Sequence, residues 1–107
     1  MTESLPIRRL HHIARMTRQP EAATAFYCHV LGFREIPRPP FNFRGAWLEG
    51  YGLQIHIIEN TTKAPHPGGE IDTRDDHLAF AVTDLAEVKA RLEAHGVAYR
   101  ENHNAGG

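Results

Sequence analysis

Hydrophobic and polar positions along the chain change period several times, and each change marks an element. Residues 7–16 (IRRLHHIARM) alternate with period two, as a strand does. From Pro20 to Leu31 the pattern predicts a helix: Pro20 suits the first helical position, and Ala22, Ala25, Phe26 and Val30 recur on one face. Gly32 stands where a C′ residue ends a helix, and FREI (33–36) resumes an extended pattern. PRPPF (37–41) is too proline-rich for a strand interior and reads as a rigid loop. FRGAWLEG (43–50) and GLQIHIIE (52–59) are two more strands, joined by a tight Gly-Tyr-Gly turn at 50–52. A polar connector follows at 60–76, with Pro65, Pro67 and the pair Gly68–Gly69. HLAFAV (77–82) then alternates again. Asp84 and Glu87 form an N-terminal capping pair for a second helix, whose buried stripe is Leu85, Val88 and Leu92. Gly96 stops that helix, and VAYRE (97–101) is extended.

The order is an internal repeat. His12 to Gly32 is a step of 20 residues and His77 to Gly96 a step of 19, so the copies are offset by about 65. Each copy runs strand, helix, strand, and the first continues with two further strands. The expected fold class is therefore α+β, with paired βαβββ units forming a curled mixed sheet in one domain over 1–107. Its parts are a first unit at 7–59, the connector, and a second unit at 77–107 that looks truncated after its second strand. By the repeat offset the missing strands would fall at roughly 108–124.

Strand parity then assigns faces. In GLQIHII, Leu53, Ile55 and Ile57 take the helix side, and Gln54 and His56 the other. In HLAFAV, Leu78, Phe80 and Val82 take the helix side and His77 the other. Ile13 belongs with the helix face of the first strand, and His12, Ala14 and Met16 lie opposite. His12, His56 and His77 thus share the faces turned away from the helices, which a curled sheet would bring together around one cup. Three imidazoles on converging strands make a credible set of ligands for Zn, Ni, Fe or Mn. Trp47 shares parity with Gly45 and faces the cup as a pocket wall, and Gln54 stands two residues from His56 on its face. Each also has a plainer account, as a half-buried core aromatic and a strand amide.

Composition sharpens this picture in one respect. Eight histidines in 107 residues is a high share and favours a metal site. His11, His29, His66, His95 and His103 fall on helix, loop or solvent-side positions and are read as non-ligands. A net charge of −1 gives no reason to expect nucleic acid or an anionic membrane as partner. No apolar stretch approaches a membrane span, and the N-terminus lacks the apolar core of a secretory signal. The single cysteine, Cys28, excludes an internal disulfide, fits a cytoplasmic location and is taken as packing. Glu49 and Glu59 are read as surface or strand-end charges, and EIDTRDD (70–76) as a solvated loop.

The segments LHHIARM (10–16), FYCHVLGF (26–33), GAWLEGYGLQIHII (45–58) and DDHLAFAVTDLAEVKARLEAHGV (75–97) together resemble the vicinal-oxygen-chelate superfamily of glyoxalase I, bleomycin-resistance proteins and extradiol dioxygenases. In its metal-dependent members ligands come from the first and fourth strands and the first and last strands of the second unit. Matched position by position, the resemblance implies His12, His56 and His77 for the first three, with a divalent metal as cofactor. The usual fourth ligand is a glutamate on the last strand, after an Asp-Pro-Asp-Gly-like turn, and the chain holds no such segment, so no catalytic base is assigned. Glyoxalase I of the bacterial type also has an arginine four residues past the first ligand, for a glutathione carboxylate. Here Met16 stands there as a substrate-facing residue, which argues against glutathione conjugates. The implied function is a glyoxalase-I-like lyase or isomerase acting on a small molecule, because His56 fills a ligand position that dioxygenases leave unused. The alternatives are a dioxygenase, a thiol transferase, or a metal-free bleomycin-resistance-type binding protein. The unfinished second half also implies a homodimer.

Overall fold

A computed structural model describes residues 3–62 and 75–103. Its contacts group into two units, Met1–Pro65 and His66–Gly107. Most of the expected connector, with His66, Pro65, Pro67, Gly68 and Gly69, lies outside the described residues.

The first unit is ordered β1 (His12–Thr17), α1 (Pro20–Ala25), β2 (Arg34–Ile36), β3 (Gly45–Gly50) and β4 (Leu53–Glu59). The strands form one curled mixed sheet in the order β1-β4-β3-β2, with β4 parallel to β1 and antiparallel to β3. β4 is therefore an interior strand, and its alternation organises the unit. Ile55 and Ile57 are buried on one side with Leu48 and Ala46 of β3, and Phe33 closes this small core. Burying side chains the size of Leu48 or Ile55 stabilises by roughly 1.5–3 kcal/mol each. α1 packs against β1, β3 and β4.

Three expectations for this unit need correction. The first strand begins at His12, not at residue 7, because β4 begins at Leu53 and its pairing with β1 starts at His12 opposite Gln54. Residues ahead of His12 have no ladder partner, and Ile7 and Leu10 are exposed. The helix is α-helical only to Ala25 and continues as a wider π-helical turn over Phe26–Val30. Its packed stripe is also different: Ala22, Ala25 and Phe26 are exposed, whereas Pro20 is buried and Ala23, Thr24, Tyr27, Cys28 and Leu31 are half-buried beside Val30. Both stripes repeat with the helical period. The true one contains a threonine and a cysteine, which a hydrophobic pattern undercounts.

The hairpin between β3 and β4 turns on Tyr51 and Gly52, both at positive φ (56° and 77°), the backbone of a two-residue type I′ turn. A tyrosine resists that conformation. It is held by its hydroxyl, which donates to the Leu31 carbonyl at the end of the helix, and by an edge contact with Phe33 at 5.3 Å between ring centroids. Gly32, at φ 84°, lies under that hydroxyl.

In the second unit α2 (Leu85–Ala94) is the one regular element among the described residues. The Asp84 carboxylate accepts from the Glu87 N–H at 3.1 Å, the expected cap. At the other end Gly96 N–H reaches Glu93 O and Val97 N–H reaches Leu92 O, a Schellman closure around Gly96 at φ 71°. Val88 and Leu92 are half-buried as expected, but Leu85, Phe80 and Val82 are exposed. Neither HLAFAV nor VAYRE forms a strand. Alternation allows a strand but ladder bonds define one, and no described segment pairs with either.

Gly32→Ala should be among the costlier single-methyl additions. A left-handed backbone costs a residue with a Cβ about 1–2 kcal/mol, and the new Cβ would stand 2.7 Å from the Tyr51 hydroxyl oxygen. Urea unfolding should show at least that loss, while Gly96→Ala, whose Cβ meets nothing within 4 Å, should show the backbone cost alone. Equal losses at the two glycines would remove the role given to Tyr51.

Candidate functional site

Cross-strand register places the polar face of the first unit row by row. One row runs His12, Gln54, Glu49, Arg34 across β1, β4, β3 and β2. The next runs Ala14, His56, Trp47, Ile36. Side chains in a row share a face, so imidazole, amide, carboxylate and guanidinium stand beside a row centred on His56 and Trp47.

The rings of the two rows stack. His56 lies between Trp47, at 4.3 Å between centroids and 5° between planes, and His12, at 4.0 Å and 12°. Phe41 approaches Trp47 at 6.3 Å and itself stacks on Phe43 at 5.1 Å. This sandwich explains why His56 is the one buried polar residue among those described. Its pKa is lowered, first by burial and then by the neighbouring His12 and His11 imidazoles. A histidine held neutral keeps a lone pair for a metal or a proton donor. Gln54 Oε1 lies 3.0 Å from His56 Nε2, and His11 Nδ1 lies 2.8 Å from His12 Nδ1. Each member of the histidine pair is thus oriented by a side chain from the first row or next to it.

Met16 is exposed further along the same face of β1, with Asn60 Nδ2 at 3.9 Å from its sulfur. His77 belongs to the second unit, where its Nδ1 lies 2.6 Å from the Asp75 carbonyl. The first unit therefore brings together His12, His56, Trp47 and Gln54. The chemistry of the donors suits a divalent metal: two imidazoles on adjacent strands, one of them kept neutral by burial. Within neither unit do three or more His, Cys, Asp or Glu among the described residues gather as a complete metal site.

Sequence reasoning passed over two residues of the face. The sequence pattern gives Glu49 as a surface or strand-end charge and assigns Arg34 no role, yet they are cross-strand partners joined by an ion pair. The signal was present in the hairpin: a two-residue turn at 51–52 sets Glu49 opposite Gln54 and gives it the parity of Trp47.

The chain belongs to the Glyoxalase/Bleomycin resistance protein/Dioxygenase superfamily, whose family model matches residues 9–104. It is 35% identical over 98 residues to Glyoxylase I 4 of Arabidopsis thaliana, covering 89% of this chain. It spans 56% of that protein's length. To the protein YaeR of Escherichia coli it is 31% identical, over 87% of this chain and 75% of the relative. Among solved structures it resembles a mutant of the fosfomycin resistance protein FosX of Listeria monocytogenes, complexed with Mn(II) and 1S,2S-dihydroxypropylphosphonic acid. The TM-score is 0.62 at 18% identity, with 95% of this chain and 76% of that one covered, a likeness of fold.

Cys28 stands apart from this face, on the helix. Its pKa is raised by burial and by the Glu35 carboxylate, against a smaller lowering by a backbone hydrogen bond at Glu35. Thiolate is the reactive form. Alkylation by iodoacetamide at neutral pH should therefore be slower than for a free cysteine, and its rate should rise through a higher midpoint. A midpoint below that of free cysteine would overturn the assignment of Cys28 as inert packing.

Proposed function

We propose that the chain is, or is the core of, a metal-dependent enzyme of this superfamily, with glyoxalase-I-like lyase or isomerase chemistry on a small organic substrate. The observation that carries the reading is the oriented pair His12 and His56 on one sheet face, the inner one neutral and walled by an indole. His12, His56 and His77 would hold the ion, and the two units would form one domain in doing so. A divalent ion there supplies Lewis-acid polarisation of two vicinal oxygens. The protein's own groups do the rest. Trp47 walls the substrate and excludes water, Gln54 fixes the His56 ring and offers its amide N–H to substrate, and Met16 gives an apolar contact. The resemblance to a glyoxylase I protein and the Mn(II) complex of a fold neighbour support this reading.

A second reading is favoured by one observation. The Trp47, His56 and His12 rings stack as a column, and Phe41 stands tilted at 49° beside Trp47, an aromatic wall against which a planar ligand would be held without metal, as a bleomycin-resistance-type protein would hold one.

Metal analysis separates the two. After reconstitution with Zn, Ni, Fe or Mn and desalting, the first reading expects a stoichiometric ion. His12→Ala and His77→Ala should each abolish it, and His95→Ala should leave it intact. These three histidines are exposed, so the substitutions cost little stability. Retention of metal by His77→Ala would remove that residue from the site, and absence of metal in the wild type would favour the planar-ligand reading.

The same proposal includes a homodimer in the cytoplasm. β1 and β2 are the edges of a four-stranded sheet, and an edge left unpaired invites a strand from a second copy. Light scattering should give about twice the 12.1 kDa chain mass. A stable monomer at micromolar concentration would overturn it.

A further inference from the structure

The polar row ends in a cleft. At the hairpin end of the first unit's sheet a depression of about 660 Å³ is lined by Arg9, His11, Arg34, Glu49 and Gln54, with the glycines of the turn forming its rim. That volume is within the range of small-ligand pockets. It adjoins the histidine pair through two direct contacts already described: His11 bears on His12, and Gln54 bears on His56. The cleft and the aromatic row are thus one continuous surface.

We propose that this cleft binds a carboxylate group of the substrate, held by Arg34, with Arg9 adding positive charge elsewhere on the lining. The inference rests on the reading of that face as the substrate-binding face, and it names the substrate class as an organic acid. Arg9 has no acidic partner among the described residues. Arg34 gives one N–H, from Nη2, to Glu49 Oε1, and the rest of its five-donor fork meets no other acceptor among them. Planar guanidinium suits a carboxylate, and the Glu49 carboxylate already accepts from Arg34 in that position. Glu49 is the internal competitor. Its ion pair with Arg34 is solvent-exposed, with side chains 78% and 38% accessible for Arg34 and Glu49, and such pairs are worth only about 0–1 kcal/mol. A ligand carboxylate is therefore able to share or displace it. Two guanidiniums against one carboxylate leave the cleft a net cation. Across the sheet, Arg34 is three strand spacings of about 4.8 Å from His12. An acid with its anionic end on Arg34 extends along the row toward the histidines.

The test uses the full chain after dialysis against EDTA, so that binding reports the cleft and not a metal. Pyruvate is the probe and methyl pyruvate its neutral control, each titrated while amide NMR shifts are followed. Pyruvate should shift the amides of Gly50, Tyr51 and Gly52 saturably, and the ester should not. Arg34→Gln should raise the pyruvate Kd by roughly threefold to tenfold, about the net worth of one hydrogen bond at an exposed site, and Arg9→Gln should raise it by less. Glu49→Gln should lower it, because it removes the competing carboxylate. The proposal is overturned if acid and ester behave alike, if Arg34→Gln binds as the wild type does, or if Glu49→Gln binds no tighter. Pyruvate binding by a protein that takes up no metal would sink the metalloenzyme reading and leave this one. Stoichiometric metal without pyruvate binding would do the reverse.

Discussion

Strand β4 carries the apolar core of the first unit on one side and its candidate chemistry on the other, and period-two alternation ties the two together. Ile55 and Ile57 cannot be buried without presenting Gln54 and His56 to the opposite face. A register slip of one residue would place an imidazole in the core and expose two isoleucines, a cost far larger than any gain at the site. Hydrophobic burial thus fixes the histidine's direction. Pairing on both edges of β4 then sets its neighbours, His12 through the parallel ladder and Trp47 through the antiparallel one.

Because His56 is sandwiched, it is buried without belonging to the hydrophobic core. Face-to-face rings strip it of water from two sides, and Gln54 supplies the hydrogen bond that a buried nitrogen needs. The same stacking makes it the most constrained member of the site. His12, by contrast, is exposed, and is held by the stacked His56 ring and by His11.

Much of the first unit was legible in the chain. Alternation in GLQIHII gave the two faces of β4 and the Gly-Tyr-Gly turn gave the hairpin; in the second unit, Asp84 with Gly96 bounded α2. What escaped notice depends on partners distant in sequence. The start of β1 is set by where β4 begins, and Arg34 becomes a neighbour of His12's row only through two intervening strands. HLAFAV and VAYRE have strand-like patterns, but a pattern cannot supply the ladder. The packed stripe of the first helix was missed because alanine scores alike on either side of it.

The Tyr51 side chain has a consequence for how this unit moves. Its hydroxyl closes the carbonyl end of a helix whose last turn has already lost regular α-helical spacing, and its backbone is the bend of the hairpin. Separate, a frayed helix end and a two-residue turn would open independently on fast timescales. Joined through one phenol, they form a single cooperative element, so amide protons around Leu31–Phe33 and around Tyr51–Leu53 should exchange through a common opening. That element borders the cleft of Arg9 and Arg34, whose rim therefore breathes as one piece.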